Sequence, residues 1–72
     1  MQISVKAARV NSGLSQKETA EMIGISLRSY VAKENGSRKF YADEIAQLSA
    51  IFQVPMQNFF EVSYRNKTHS AS

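Results

Sequence analysis

Three times in its first half the chain sets a serine ahead of a short helix-forming stretch and a glycine just beyond it. Ser4 precedes Val5 to Asn11, with Gly13 after; Ser15 precedes a stretch ending in Ile23-Gly24; Ser26 precedes Leu27 to about Glu34, with Gly36 after. A serine hydroxyl in that place accepts from a first-turn amide that has no helical partner. Glycine takes the left-handed conformation that ends a helix. Ser15-Gln16-Lys17-Glu18 also has the form of a capping box, in which Glu18 reaches back to the Ser15 amide. This punctuation restricts the chain to short helices joined by tight turns.

The rest of the chain continues the pattern. Residues 37–41 read as a short polar and basic link. Ile45, Leu48, Ile51 and Phe52 fall at the spacing of a core-facing stripe on a fourth helix, Ala42 to Phe52. Asp43 and Glu44 lie in its first turn, where the helix dipole favours negative charge. Pro55 suits the start of a short fifth helix reaching about Phe60. Tyr30, Phe52 and Phe59 take inward positions. The expected architecture is all-α: a compact five-helix bundle over residues 1–61, followed by a polar tail, residues 62–72, expected to be disordered.

Length and composition exclude several function classes. Seventy-two residues make one domain, which buries only about 60% of its unfolded surface and has little stability to spare. Without cysteine there is no disulfide framework, thiolate nucleophile or cysteine-built zinc site. The single His69 has no second ligand near it, so no metal is expected. No apolar run nears the roughly 20 residues needed to span a bilayer, and Met1 to Val5 lacks the order of a secretory signal. The expectation is a cytoplasmic protein with no membrane and no cofactor. Catalysis is not expected either: Glu18 and Glu21 are accounted for as cap and solvated face, no serine has a spaced His or Lys partner, and there is no Gly-rich phosphate loop.

The net charge of +3 is mild, but Arg28, Lys33, Arg38 and Lys39 lie within twelve residues of one another. A basic stretch by itself is usually a solvated face. What gives it meaning is the segment from Ser15 to Gly36. Its two helices meet through Met22-Ile23-Gly24-Ile25-Ser26, with small Ala20 where a close crossing needs little bulk and Gly24 where the backbone must turn. That is the pattern of a helix-turn-helix, whose second helix enters the major groove of DNA.

The run Arg9, Gly13-Leu14-Ser15-Gln16, Glu18, Ala20, Gly24-Ile25-Ser26, Tyr30, Glu34 and Gly36 resembles the Cro/repressor-type helix-turn-helix family, also called xenobiotic-response-element-type regulators. The opening Ile3 to Asn11 is further similar to small regulators of phages and prophages of Gram-positive bacteria. The resemblance covers about residues 3–60 and implies a lambda-repressor-like DNA-binding domain acting as a repressor on double-stranded DNA. It implies that Gln16 touches a phosphate at the second helix's N-terminus. It also implies that Leu27, Arg28, Val31 and Ala32 face base edges, with Arg28 able to donate two bonds to a guanine. Asn35, Ser37, Arg38 and Lys39 then follow the phosphates, fixing register while carrying little sequence information. Arg9 and Glu34 correspond to a partly buried ion pair joining the first helix to the third. Met56 and Phe60 lie where family members pair, so a homodimer is expected, although they can also simply finish a monomer's core.

Several positions depart from the family pattern. Thr19 replaces a large aliphatic residue, Lys33 a packed Trp or Leu, Tyr41 a capping Ser and Ser49 an Ala; each is expected to weaken core or cap. Leu27 and Val31 put apolar groups on the face assigned to DNA. Two other readings therefore stay open: an antitoxin-like or anti-regulator module that binds a regulatory protein partner through Leu27, Val31, Met56 and Phe60, or an architectural or excision factor of a mobile element.

Overall fold

The computed structural model describes residues 2–59. The four expected α-helices are present: α1 Val5–Asn11, α2 Gln16–Ile23, α3 Leu27–Glu34 and α4 Ala42–Phe52. Their ends follow the local chemistry. Ser4, Ser15 and Ser26 each accept, through the side-chain oxygen, the amide three residues ahead. The Glu18 carboxylate accepts the Ser15 amide at 2.9 Å, completing the capping box. Gly24 closes α2 at φ 76°, in the left-handed region where a side chain would be strained.

The fifth helix is corrected. The segment after Pro55 makes one 3-10 turn, Met56–Asn58, held by Asn58 N–H to Pro55 O at 2.9 Å and Phe59 N–H to Met56 O at 3.2 Å. Phe59 then returns to extended backbone and forms a parallel bridge with Ile3, whose amide donates to Asn58 O at 2.8 Å. Pairing with the start of the chain competes with helix continuation at Phe59 and wins. The architecture of the described residues is thus four α-helices and a 3-10 turn. Phe60 and the tail assigned to residues 62–72 lie outside the described residues.

The core joins every element. Val5 and Ala8 from α1, Ala20 and Ile23 from α2, Tyr30 from α3, and Ile45, Leu48 and Phe52 from α4 close on Phe59. Ile3, Leu14, Ile25, Ile51, Val54 and Met56 pack around them. Residues 37–41 are not a purely polar link. Phe40 is 1% exposed, its ring 5.9 Å from Tyr30's in an edge-on arrangement, so the link is anchored to the core in the middle.

At the positions that depart from the family pattern, the structure gives each polar group a partner. Thr19 is fully buried, and its hydroxyl donates to Ser15 O at 2.9 Å. Ser49 donates to Val54 O at 2.6 Å. Tyr41 offers no side-chain cap, but the Glu44 carboxylate accepts the Tyr41 amide at 2.9 Å. Lys33 is buried, and its ammonium donates to both Glu44 oxygens at 2.6 and 2.7 Å. A buried polar group left unpaired costs far more than one that keeps a partner.

Candidate nucleic-acid interface

The segment of interest begins where α2 stops. Gly24 turns the chain, Ile25 N–H returns to Ala20 O at 3.0 Å, and Ser26 starts α3 by accepting the Ser29 amide at 3.1 Å. The whole turn is three residues long. Along α3 the inward positions are Tyr30 and Lys33, both buried. The opposite face carries Leu27, 44% exposed, and Arg28, also exposed, with Val31 and Ala32 half-buried beside them. Residues 27, 28, 31 and 32 share one side of a helix because their spacing follows its 3.6-residue period.

After α3 the chain folds back on its own helix. Gly36 takes φ 93°, and the amides of Ser37 and Arg38 both donate to Ala32 O, at 2.9 and 3.2 Å. Asn35 Oδ1 also accepts the Ser37 amide at 3.0 Å. Arg38 Nη1 donates to Ser29 Oγ at 3.3 Å, which lays its guanidinium against α3. Asn35, Ser37, Arg38 and Lys39 are all exposed. The fold-back therefore lays Arg38 against α3, with Lys39 exposed on the same loop. Lys33 does not belong to that basic set: it points inward, its charge neutralised by Glu44.

Beneath this surface lies a second network. Glu34 accepts from Arg9 Nε at 2.9 Å and Nη2 at 3.2 Å, from Gln16 Nε2 at 2.9 Å, and from the Tyr30 hydroxyl at 2.6 Å. Arg9 Nη1 also donates to Leu14 O at 2.7 Å. Arg9 and Glu34 thus form an ion pair with side chains 11% and 2% exposed, tying α1 to the end of α3. Burial alone would raise the Glu34 carboxyl, but the bonds from Arg9, Tyr30 and Gln16 outweigh it and hold it below the usual carboxylate range. Burial, and donation to Glu34, push the Tyr30 hydroxyl up.

The network constrains Gln16. A carboxamide nitrogen carries two hydrogens; one points at Glu34, leaving the other as the donor a phosphate would use. The spacing of these residues in the sequence carries part of this network. Tyr30 and Glu34 are four apart on one helix, where side chains meet. Lys33, three residues after inward-facing Tyr30, falls on the same inward side of α3. Met56, assigned to pairing, is half-buried and packs against the core.

A family model described as a helix-turn-helix domain matches residues 3–64. The chain belongs to the helix-turn-helix domain family. Neither the curated proteins nor the solved structures show a match. The matched helix-turn-helix, α2 to α3, points to DNA as the partner and to a DNA-binding regulator as the general role. Among the described residues no helix is long and apolar enough to cross a membrane.

Proposed function

We propose that this helix-turn-helix protein is a Cro/repressor-type regulator that binds double-stranded DNA in a sequence-specific manner and acts by occupying an operator, without catalysis. The observation that carries the reading is the exposed face of α3 together with the basic loop folded back on that helix. Leu27 and Arg28, with Val31 and Ala32, supply a groove-facing strip; Arg38 is held against Ser29 of the same helix, and Lys39 is exposed on the loop. In this reading α3 enters the major groove, Arg28 reads a guanine, and Gln16, Asn35, Ser37, Arg38 and Lys39 contact phosphates.

One short recognition helix reads only a few base pairs. Selectivity therefore calls for two copies on half-sites about 34 Å apart, and we assign the pairing surface to Met56 and Phe60. The protein works where the genome lies, in the bacterial cytoplasm, and phage or prophage origin fits its opening residues. If each subunit neutralises ~3–4 phosphates, the log–log slope of affinity against salt for the dimer is roughly −5 to −7. Selection from randomised duplexes, followed by titration at several salt concentrations, tests this. Binding indifferent to salt, or no enriched sequence, refutes it. Phe60→Asp is expected to give a folded chain that no longer binds a two-half-site operator; parent and variant both sedimenting as monomers on DNA would remove the dimer.

A second reading is favoured by one observation: Leu27, a large apolar side chain, is 44% exposed on the binding face. A protein partner would cover it as a thymine methyl would. Co-purification of a second polypeptide without DNA, lost in Leu27→Ser, would support that reading.

A further inference from the structure

We propose that the buried Lys33–Glu44 pair is a clamp that positions the 35–41 loop for DNA without touching DNA, an inference that rests on the DNA-binding reading above. The pair closes the loop at its stem. Lys33 lies in the last turn of α3 and Glu44 in the first turn of α4, so the ammonium and carboxylate, 2.6 Å apart, staple the two ends of the segment together. Both charges also complement the dipoles of the helix ends they occupy.

The surroundings complete the clamp. The side chains of Lys33 and Glu44 are only 4% and 9% exposed. The Lys33 ammonium sits 4.6 Å from the centroid of the Tyr41 ring, a cation–π contact that covers the charge. Glu44 Oε1 accepts the Tyr41 amide as well as the ammonium. The last residue of the loop is therefore held by the same carboxylate that holds the end of α3. Phe40, packed edge-on against Tyr30, anchors the residue before it. Between these fixed points the amides of Ser37 and Arg38 stay on Ala32 O.

A pair of this kind contributes little net stability. The cost of desolvating two charges offsets most of their attraction, and apolar replacements of similar volume are often neutral. What it supplies is geometry: it ties the end of α3 to the start of α4 and, through the Tyr41 amide, to the last residue of the loop. Because the pair is buried, salt screens it far less than the surface charges that meet phosphate. The clamp holds at the salt concentrations where the loop's own DNA contacts are weakening.

The test compares the parent with Lys33→Met/Glu44→Gln, which keeps side-chain length and leaves an acceptor for the Tyr41 amide. Two readouts follow: amide hydrogen exchange, and duplex affinity against salt. A clamp predicts a folded variant, melting near the parent, in which the Ser37 and Arg38 amides exchange about tenfold faster relative to those of α2. It also predicts weaker binding to all sequences alike and a salt slope smaller by about one per subunit, as loop contacts are lost. Lys33→Arg, which retains the pair, is expected to behave as the parent. If the double variant does not fold, Tyr41→Leu at its exposed site is expected to change both readouts in the same direction, by less. Parent-like exchange and slope in the folded variant overturn the clamp and leave the DNA-binding reading intact. A parent that binds no duplex overturns that reading instead, and the clamp's role with it.

Discussion

Arg9→Met removes one partner from the most densely bonded site in the described structure. Three bonds are lost: two to Glu34, at 2.9 and 3.2 Å, and one to Leu14 O at 2.7 Å. Methionine keeps the apolar stem, so the change acts on charge rather than volume. Glu34, 2% exposed at its side chain, is left as a buried carboxylate with only Gln16 and Tyr30 donating to it. Breaking a buried pair from one side costs about 3–5 kcal/mol. A domain of this length holds roughly 4–10 kcal/mol in total. At ~4–8 °C per kcal/mol for a chain of this size, the melting temperature should fall by about 12–40 °C at pH 7. Arg9→Met/Glu34→Gln should recover part of that loss, because no stranded charge remains.

The pH dependence gives the same reasoning a second test. Glu34 has a depressed pKa in the folded parent. Its contribution is therefore present above the unfolded carboxylate value of about 4.3 and is lost as pH falls through the lower folded value. Without Arg9, the desolvation of Glu34 loses its main opponent and protonation favours the folded state. The gap in melting temperature between parent and Arg9→Met should thus narrow as pH falls below about 5. Melting followed by circular dichroism at pH 7, 5 and 4 measures both effects. A loss under about 5 °C at pH 7, or a gap that stays constant with pH, would refute the account of Glu34 as a buried anion held by Arg9.

Three other outcomes are expected. Arg28→Ala should weaken the preferred operator by about 1–3 kcal/mol and flatten discrimination at one base pair per half-site, whereas Lys39→Ala should weaken all sequences alike and lower the salt slope by about one per subunit; operators varied position by position separate the two, and uniform loss in Arg28→Ala would make it a phosphate contact. Phe40→Ala should cost about 3–5 kcal/mol by urea unfolding, since the ring is fully enclosed and its removal leaves a cavity; a cost under about 1 kcal/mol would mean the loop is not anchored there. Gly24→Ala should cost about 1–2 kcal/mol although no atom beyond its own immediate chain neighbours lies within 4 Å of the added carbon, because the penalty comes from the left-handed backbone; unchanged stability would mean the turn can relax.

The helix boundaries were legible in the sequence because the groups that set them are neighbours in the chain. A cap is an interaction over three residues, as Ser15 with Glu18 shows, and a left-handed stop such as Gly24 depends on its own missing side chain. The turn between α2 and α3, and the identity of the face carrying residues 27, 28, 31 and 32, follow from those boundaries and the helical period. The Arg9–Glu34 pair was expected through resemblance to a family, not through any local rule, since 25 residues separate its partners.

What the tertiary structure decided is where the chain's distant parts meet. Lys33 stood both in a basic stretch and at a position where a packed Trp or Leu is usual; the fold brings Glu44 of α4 to it and takes its charge out of the DNA-facing set. Phe40 looked like part of a polar link until the loop folded it onto Tyr30. Phe59 leaves the last turn because Ile3, 56 residues earlier, is there to pair with it. Local rules state which residues form a helix and which side of it is apolar. They do not state how two helices cross, and for a charged residue at an inward position the crossing decides whether it is exposed, stranded or paired.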